Sequence, residues 1–104
     1  MTPKEQILYD NFEEYYNFAL DAFIKKKYNT ATTLFFKAIV SLSDLYILKK
    51  TGSSPSSHST RFRIMENKFP DLYFIADKNF PFYQDSYSKK MGLEEASMLK
   101  NDTE

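Results

Sequence analysis

The side chains best suited to chemistry lie together near the middle of the chain, where His58, Arg61 and Arg63 form a concentrated polar cluster. A guanidinium group makes forked hydrogen bonds to phosphate or carboxylate. A helix that starts nearby would add backbone N–H donors for an anion. The alternative is structural, with His58 and Arg61 tethering a loop and Arg63 pairing with Glu66 or another acid. The sequence leaves both interpretations open.

Two tyrosines near the C-terminus offer a second kind of contact. Tyr83 and Tyr87 are four residues apart and would share one face of a helix. Such rings can stack on bases of single-stranded nucleic acid, but an aromatic stripe at helical spacing is more often core. The candidate ligand-binding residues combine the central polar cluster, the two tyrosines and the charged residues near each. They are Lys49, Lys50, His58, Arg61, Arg63, Tyr83, Asp85, Tyr87 and Lys89.

The composition excludes several kinds of site. Without cysteine the chain has no disulfide, iron–sulfur cluster, thiolate zinc site or cysteine nucleophile. A single histidine excludes a metal site that needs two imidazoles, and two glycines leave no phosphate-cradling loop. A Ser–His–acid triad would have to use His58, which falls in a predicted exposed loop. We therefore predict no catalytic residue, no metal and no cofactor.

The 104 residues carry 14 basic and 14 acidic side chains, so the formal net charge is zero, but the charges are segregated. Residues 1–24 have one base and five acids, residues 25–68 nine bases and two acids, and residues 69–104 four bases and seven acids. The basic middle either pairs with the acidic flanks or presents a surface for phosphate or an acidic partner.

The chain is predicted to be one cytoplasmic domain. Its length suits one modest core. The N-terminus is polar and acidic, unlike a signal peptide, and we count no apolar run approaching the ~20 residues of a membrane span.

The spacing of apolar residues predicts an all-α fold, an up-and-down bundle of four to five helices. It is built on a long antiparallel hairpin of helices 4–26 and 31–50, the second capped by Asn29 or Thr30. The Ser-rich segment 51–59 is predicted to be an exposed loop.

The second half of the chain is predicted to form shorter helices. One covers about 60–68, with Ser59 or Thr60 as its cap, and the next starts at Pro70 and ends at 89–92. Pro81 is expected to break or kink that helix near residues 79–80. A last helix covers about 93–100, and the final residues are expected to fray.

Residues 28–99 resemble the HEPN superfamily, especially its small stand-alone members. The resemblance lies in the hairpin helix YNTATTLFFKAIVSLSDLYILKKTG, the loop SPSSHSTRF, and the later segments IMENKFPDLY and FPFYQDSYSKKMGLEEAS. It implies a compact helical bundle that commonly dimerises. It also implies a ribonuclease or toxin, a partner of a minimal nucleotidyltransferase, or a nucleic-acid-binding scaffold.

The chain departs from the nuclease motif of that superfamily, in which an arginine precedes a histidine in the last long helix. Its one histidine, His58, precedes Arg61 and Arg63, and the segment YQDSYSKK has neither residue type. We therefore expect a non-catalytic, homodimeric interaction protein that binds RNA, a nucleotide or a protein such as a minimal nucleotidyltransferase. One alternative is a divergent metal-independent ribonuclease, with Tyr87 or His58 as acid/base and Arg61 on the phosphate. Another is a purely structural or antitoxin-like partner.

Overall fold

The computed structural model describes residues 1–103 and confirms the all-α bundle. The five helices are α1 (Pro3–Ile24), α2 (Tyr28–Thr51), α3 (His58–Lys68), α4 (Pro70–Asp85) and α5 (Leu93–Thr103). Helix α2 is central, since it packs against α1, α4 and α5, while α3 packs mainly on α4. The core therefore surrounds α2, whose Phe35, Phe36 and Ile47 are almost completely buried.

Helix α1 is well specified at both ends. Thr2 and Glu5 form a reciprocal capping box at its start. At its end, Lys27 N–H donates to the Ala22 carbonyl at 2.8 Å and Lys26 N–H to the Phe23 carbonyl at 3.0 Å, the pattern of a Schellman motif. Lys26 takes the left-handed conformation that this motif needs, with φ of 61°. The turn between the hairpin helices is therefore tight.

The predicted cap of the second helix is wrong. Helix α2 begins at Tyr28, and its N-cap residue Lys27 makes no side-chain capping bond. The Asn29 amide instead donates to the carbonyls of Ser86 (3.0 Å) and Lys89 (2.6 Å). Its Oδ1 accepts from the Met91 N–H at 2.8 Å. These long-range bonds fasten the α4–α5 connection to the start of α2 and outweigh local capping.

Helix α3 begins earlier than predicted. Its cap is Ser57, whose hydroxyl accepts from the Thr60 N–H at 3.2 Å, rather than Ser59 or Thr60. His58 is consequently the first residue of the helix, and the irregular loop shrinks to residues 52–57. This shift fixes the backbone of His58 instead of leaving it in a loop.

Pro81 does not break α4, so the predicted break is wrong. A proline removes the hydrogen bond to the carbonyl four residues earlier, here that of Asp77. Both residues are exposed, so water can satisfy this carbonyl. The helix ends at Asp85, earlier than the predicted 89–92, because residues 86–89 form turns bonded to Asn29 and Thr33.

The C-terminal segment is ordered through residue 103, where fraying was expected. Thr103 is buried and Asp102 bonds to Lys78 at 3.0 Å and to the Asn79 amide at 2.8 Å. These contacts extend α5 beyond the predicted 93–100. Residue 104 lies outside the described residues.

Helix α2 also meets the length and composition criteria for a membrane span, which corrects our count of apolar runs. Its most apolar window has a mean hydropathy of 1.4, and 61% of that window is buried inside the protein. The core helix of a bundle satisfies the same criteria.

Candidate functional site

A buried ion pair between α2 and α3 organises the candidate site. Asp44 and Arg61 are 7% and 8% exposed. Arg61 Nε donates to Asp44 Oδ1 at 2.7 Å and Nη2 donates to Oδ2 at 2.9 Å. This two-pronged geometry is the strongest form of ion pair. Arg61 is thus held by Asp44 and not presented to solvent, so the structural interpretation of this residue applies.

His58 is the third member of the group. Arg61 Nη1 lies 2.9 Å from His58 Nδ1. A guanidinium group has no acceptor, so Nδ1 must accept this bond, which makes the ring neutral with its proton on Nε2. Partial burial of the ring lowers the pKa of His58, and the charges of Arg61 and Lys37 lower it further, against the opposing effect of Asp44. His58 is therefore poised as a hydrogen-bond donor.

This protonation state predicts a pH dependence of stability. Because the pKa of His58 is below its ordinary value in the folded protein, the unfolded chain takes up the proton first as the pH falls below about 6.5. The stabilisation from neutral His58 is complete above that pH and is lost as the pH falls through the folded-state pKa. Urea titrations at pH 7.5 and 5.5 should show a larger loss of unfolding free energy in the wild type than in His58→Gln. An equal or larger loss in the variant would contradict this assignment.

His58 lies beside a cleft of about 250 Å³ bounded by α1, α2, α3 and α4. The rings of Phe36 and Tyr83 stack at the base, with centroids 4.6 Å apart. The His58 ring centroid is 6.2 Å from that of Tyr83. The cleft is lined by Leu8, Asn11, Tyr15, Phe36, Lys37, Val40, Ser41, Asp44, His58 and Tyr83. It combines an aromatic base with amide, hydroxyl, imidazole and ammonium groups.

Tyr83 and Tyr87 meet as predicted, although Tyr87 lies beyond the end of α4. Their hydroxyls are 2.8 Å apart. Burial, with a smaller contribution from the Tyr87 hydroxyl, raises the pKa of Tyr83 to about 12. The phenol therefore stays protonated at neutral pH. Lys37 Nζ is 5.8 Å from the centroid of the Tyr83 ring, which places a positive charge beside the cleft.

The structure does not bring the other predicted residues to this cleft. Asp85 and Lys89 pair with each other at 3.5 Å. Arg63 lines a separate groove between α3 and α4 with Glu66, but among the described residues it makes no ion pair with that acid. Lys49 and Lys50 are exposed in the last turn of α2, about 18 Å along the helix from Lys37. The basic side chains of residues 25–68 are thus spread over the molecule.

Lys37 and Asp44 were not among the residues predicted for the site. They are seven residues apart in an otherwise nearly uncharged helix, with Ser41 between them on the same face. This polar stripe interrupts the apolar pattern of α2 and is the signal that could have identified them. An acid isolated in a core helix needs a buried cation, and Arg61 supplies it.

Comparison with known proteins gives no assignment: no protein-family model, no curated protein and no solved structure matches the chain. The resemblance to the HEPN superfamily accordingly stays a prediction from the sequence.

Proposed function

We propose that the protein is a non-catalytic binding protein whose cleft holds a phosphorylated nucleoside, either as a free nucleotide or as one residue of single-stranded RNA. The observation that carries the proposal is the position of His58, which Arg61 Nη1 holds at 2.9 Å and which lines the cleft together with Lys37. The imidazole offers its Nε2–H and Lys37 offers an ammonium group, both of which suit phosphate oxygens.

The charge balance of the cleft favours an anion. Asp44 is the acid among its lining residues, and Arg61 neutralises it. Lys37 therefore leaves an excess positive charge beside an aromatic surface. The Tyr15 and His58 rings are only partly buried, so both are accessible for stacking on a base.

The size of the cleft favours a small ligand. Its volume of about 250 Å³ is below the ~300–1,000 Å³ of typical small-molecule sites. One nucleotide fits this description better than a large cofactor or a duplex.

The same geometry favours binding over hydrolysis. His58 Nδ1 already accepts a hydrogen bond and Nε2 carries the proton, so the neutral ring has no free lone pair to act as a base. Tyr83 has a pKa of about 12, far from neutral. Arg61 donates two bonds to Asp44 and one to His58, which removes it as a free clamp for phosphate.

We expect Lys37→Gln to weaken nucleotide binding about tenfold, since it removes one charge-assisted phosphate contact. Fluorescence anisotropy with labelled AMP, ATP and oligouridine would measure it and separate free nucleotide from RNA. The log of the affinity for single-stranded RNA should fall with log salt at a slope of about −0.7 per phosphate contacted. Intact RNA after prolonged incubation is also expected.

The matched control is Lys68→Gln, an exposed lysine at the end of α3 and outside the cleft. It should leave affinity unchanged. An equal loss in both lysine variants would indicate non-specific charge attraction and would contradict a site in the cleft. The proposal would also be contradicted if none of the three probes bound at millimolar concentration.

We also propose that the protein forms a homodimer. Ile7 and Phe18 are 59% and 62% exposed and share one face of α1, and exposed large apolar side chains on one face can form an interaction surface. Light scattering at tens of micromolar should give twice the monomer mass of 12.3 kDa. A monomer mass there would refute the dimer. Contact with a minimal nucleotidyltransferase stays a prediction from the resemblance.

A further inference from the structure

One face of α1 is entirely exposed and has a regular spacing. Its members alternate at intervals of three and four residues, the spacing of the a and d positions of a heptad. We call it the α1 stripe, and it consists of Lys4, Ile7, Asn11, Glu14, Phe18, Asp21 and Lys25, each exposed. Ala19 and Ala22, on the adjoining face of α1, are buried against the rest of the bundle. The stripe is therefore a second face that the single chain leaves uncovered.

The order of residues along the stripe is self-complementary when two copies run antiparallel. In antiparallel helix pairs an a position faces a d position of the other chain. Placing Ile7 opposite the partner's Phe18 fixes the register, and symmetry repeats that pair at the other end. The same register places Lys4 opposite the partner's Asp21, and Asn11 opposite the partner's Glu14. Each stripe residue from Lys4 to Asp21 thus faces a chemically compatible residue of the partner.

We propose that the homodimer forms by antiparallel packing of α1 against α1 of a second copy, with Ile7 on the partner's Phe18. This inference rests on the dimer proposed above and specifies its interface. The two apolar pairs remove the large apolar side chains of the stripe from water. The two Lys4–Asp21 pairs at the ends set direction, because a parallel arrangement places like charges together.

The existing contacts of the stripe do not oppose this arrangement. Asp21 pairs with Lys25 at 3.1 Å within α1, but both side chains are more than half exposed. Exposed ion pairs of this kind add little stability, so Asp21 can exchange Lys25 for the partner's Lys4 at little cost. Asn11 also lines the cleft, which places the dimer interface next to the nucleotide site.

The absence of cysteine from the chain makes the register directly testable. A mixture of Ile7→Cys and Phe18→Cys chains should form a disulfide-linked heterodimer quickly under mild oxidation. Each variant alone should cross-link at least about tenfold more slowly, since two copies of position 7 would be about 16 Å apart along the helices. Equal rates for the mixture and the separate variants would overturn the register.

Charge exchange gives an independent measurement. Lys4→Glu and Asp21→Lys should each weaken the dimer about tenfold, because each creates two like-charge pairs by symmetry, and the double variant should restore the affinity. The control Lys68→Glu, off the stripe, should have no effect. Sedimentation of a monomer at tens of micromolar would overturn both the dimer and this interface. A dimer whose affinity is unchanged by the Lys4→Glu and Asp21→Lys substitutions would overturn only the interface. Nucleotide binding is measured separately.

Discussion

Arg61→Ala is expected to reduce the free energy of unfolding by about 3–5 kcal/mol, the usual cost of removing one partner of a buried ion pair. The variant leaves the Asp44 carboxylate buried without its two guanidinium bonds. It also removes the bond that orients His58. For a domain with a total stability of ~5–15 kcal/mol, this is a large fraction. Urea denaturation followed by circular dichroism at pH 7.5 would measure it.

The cause of that loss can be separated from general disruption of α3. Replacing both partners, as in Asp44→Leu with Arg61→Met, leaves no buried charge unpaired and should cost clearly less than the sum of the single replacements. Lys25→Ala, which removes an exposed pair, should change stability by less than about 1 kcal/mol. A loss below 1 kcal/mol for Arg61→Ala would show that the pair does not hold α3 in place.

The helices could be predicted from the sequence because their signals are local. Apolar spacing, the Thr2–Pro3–Glu5 start of α1 and the Lys49–Lys50 end of α2 before Gly52 all act within a few residues. Gly52 has a φ of 85° and closes α2, as a glycine beyond a helix C-terminus commonly does. A bundle of four to five helices and its hairpin follow from such signals alone.

The boundaries that were wrong depend on distant contacts. Asn29 has the chemistry of a helix cap, yet its side chain bonds to residues about 60 positions later. The end of α5 is likewise fixed by Lys78 and Asn79 of α4. No local rule contains these partners, so propensity and capping patterns place such boundaries incorrectly.

The candidate site was half predictable for the same reason. His58, Arg61 and the pair Tyr83–Tyr87 were identified by residue type and spacing, and they do lie around one cleft or beside it. The role of Arg61 could not be identified in this way, because its partner Asp44 is 17 residues away across the Ser-rich loop. Only the packing of α3 onto α2 shows that this arginine is occupied.

Phe36→Ala is expected to cost about 3–5 kcal/mol of stability, as is typical for removing a large buried ring. Phe36 is 1% exposed, and its ring contacts Tyr83, Phe80 and His58, with centroids 4.6, 5.7 and 6.4 Å away. The cavity left behind would open directly below the cleft. Urea denaturation gives the stability, and anisotropy with labelled AMP at pH 7.5 gives the binding of any folded fraction.

The sharper comparison is between two phenylalanines of different burial. Phe74→Ala removes the same ring from a site that is 67% exposed, and a surface change of this kind should stay within about 0.5 kcal/mol. Phe36→Leu keeps most of the core volume and should retain most of the stability, yet it removes the ring on which Tyr83 stacks. Nucleotide affinity that falls in Phe36→Leu while stability holds would tie the aromatic base to binding. Equal stability losses in Phe36→Ala and Phe74→Ala would contradict the packing of α2 against α4, because only a ring enclosed by other side chains leaves a cavity when it is removed.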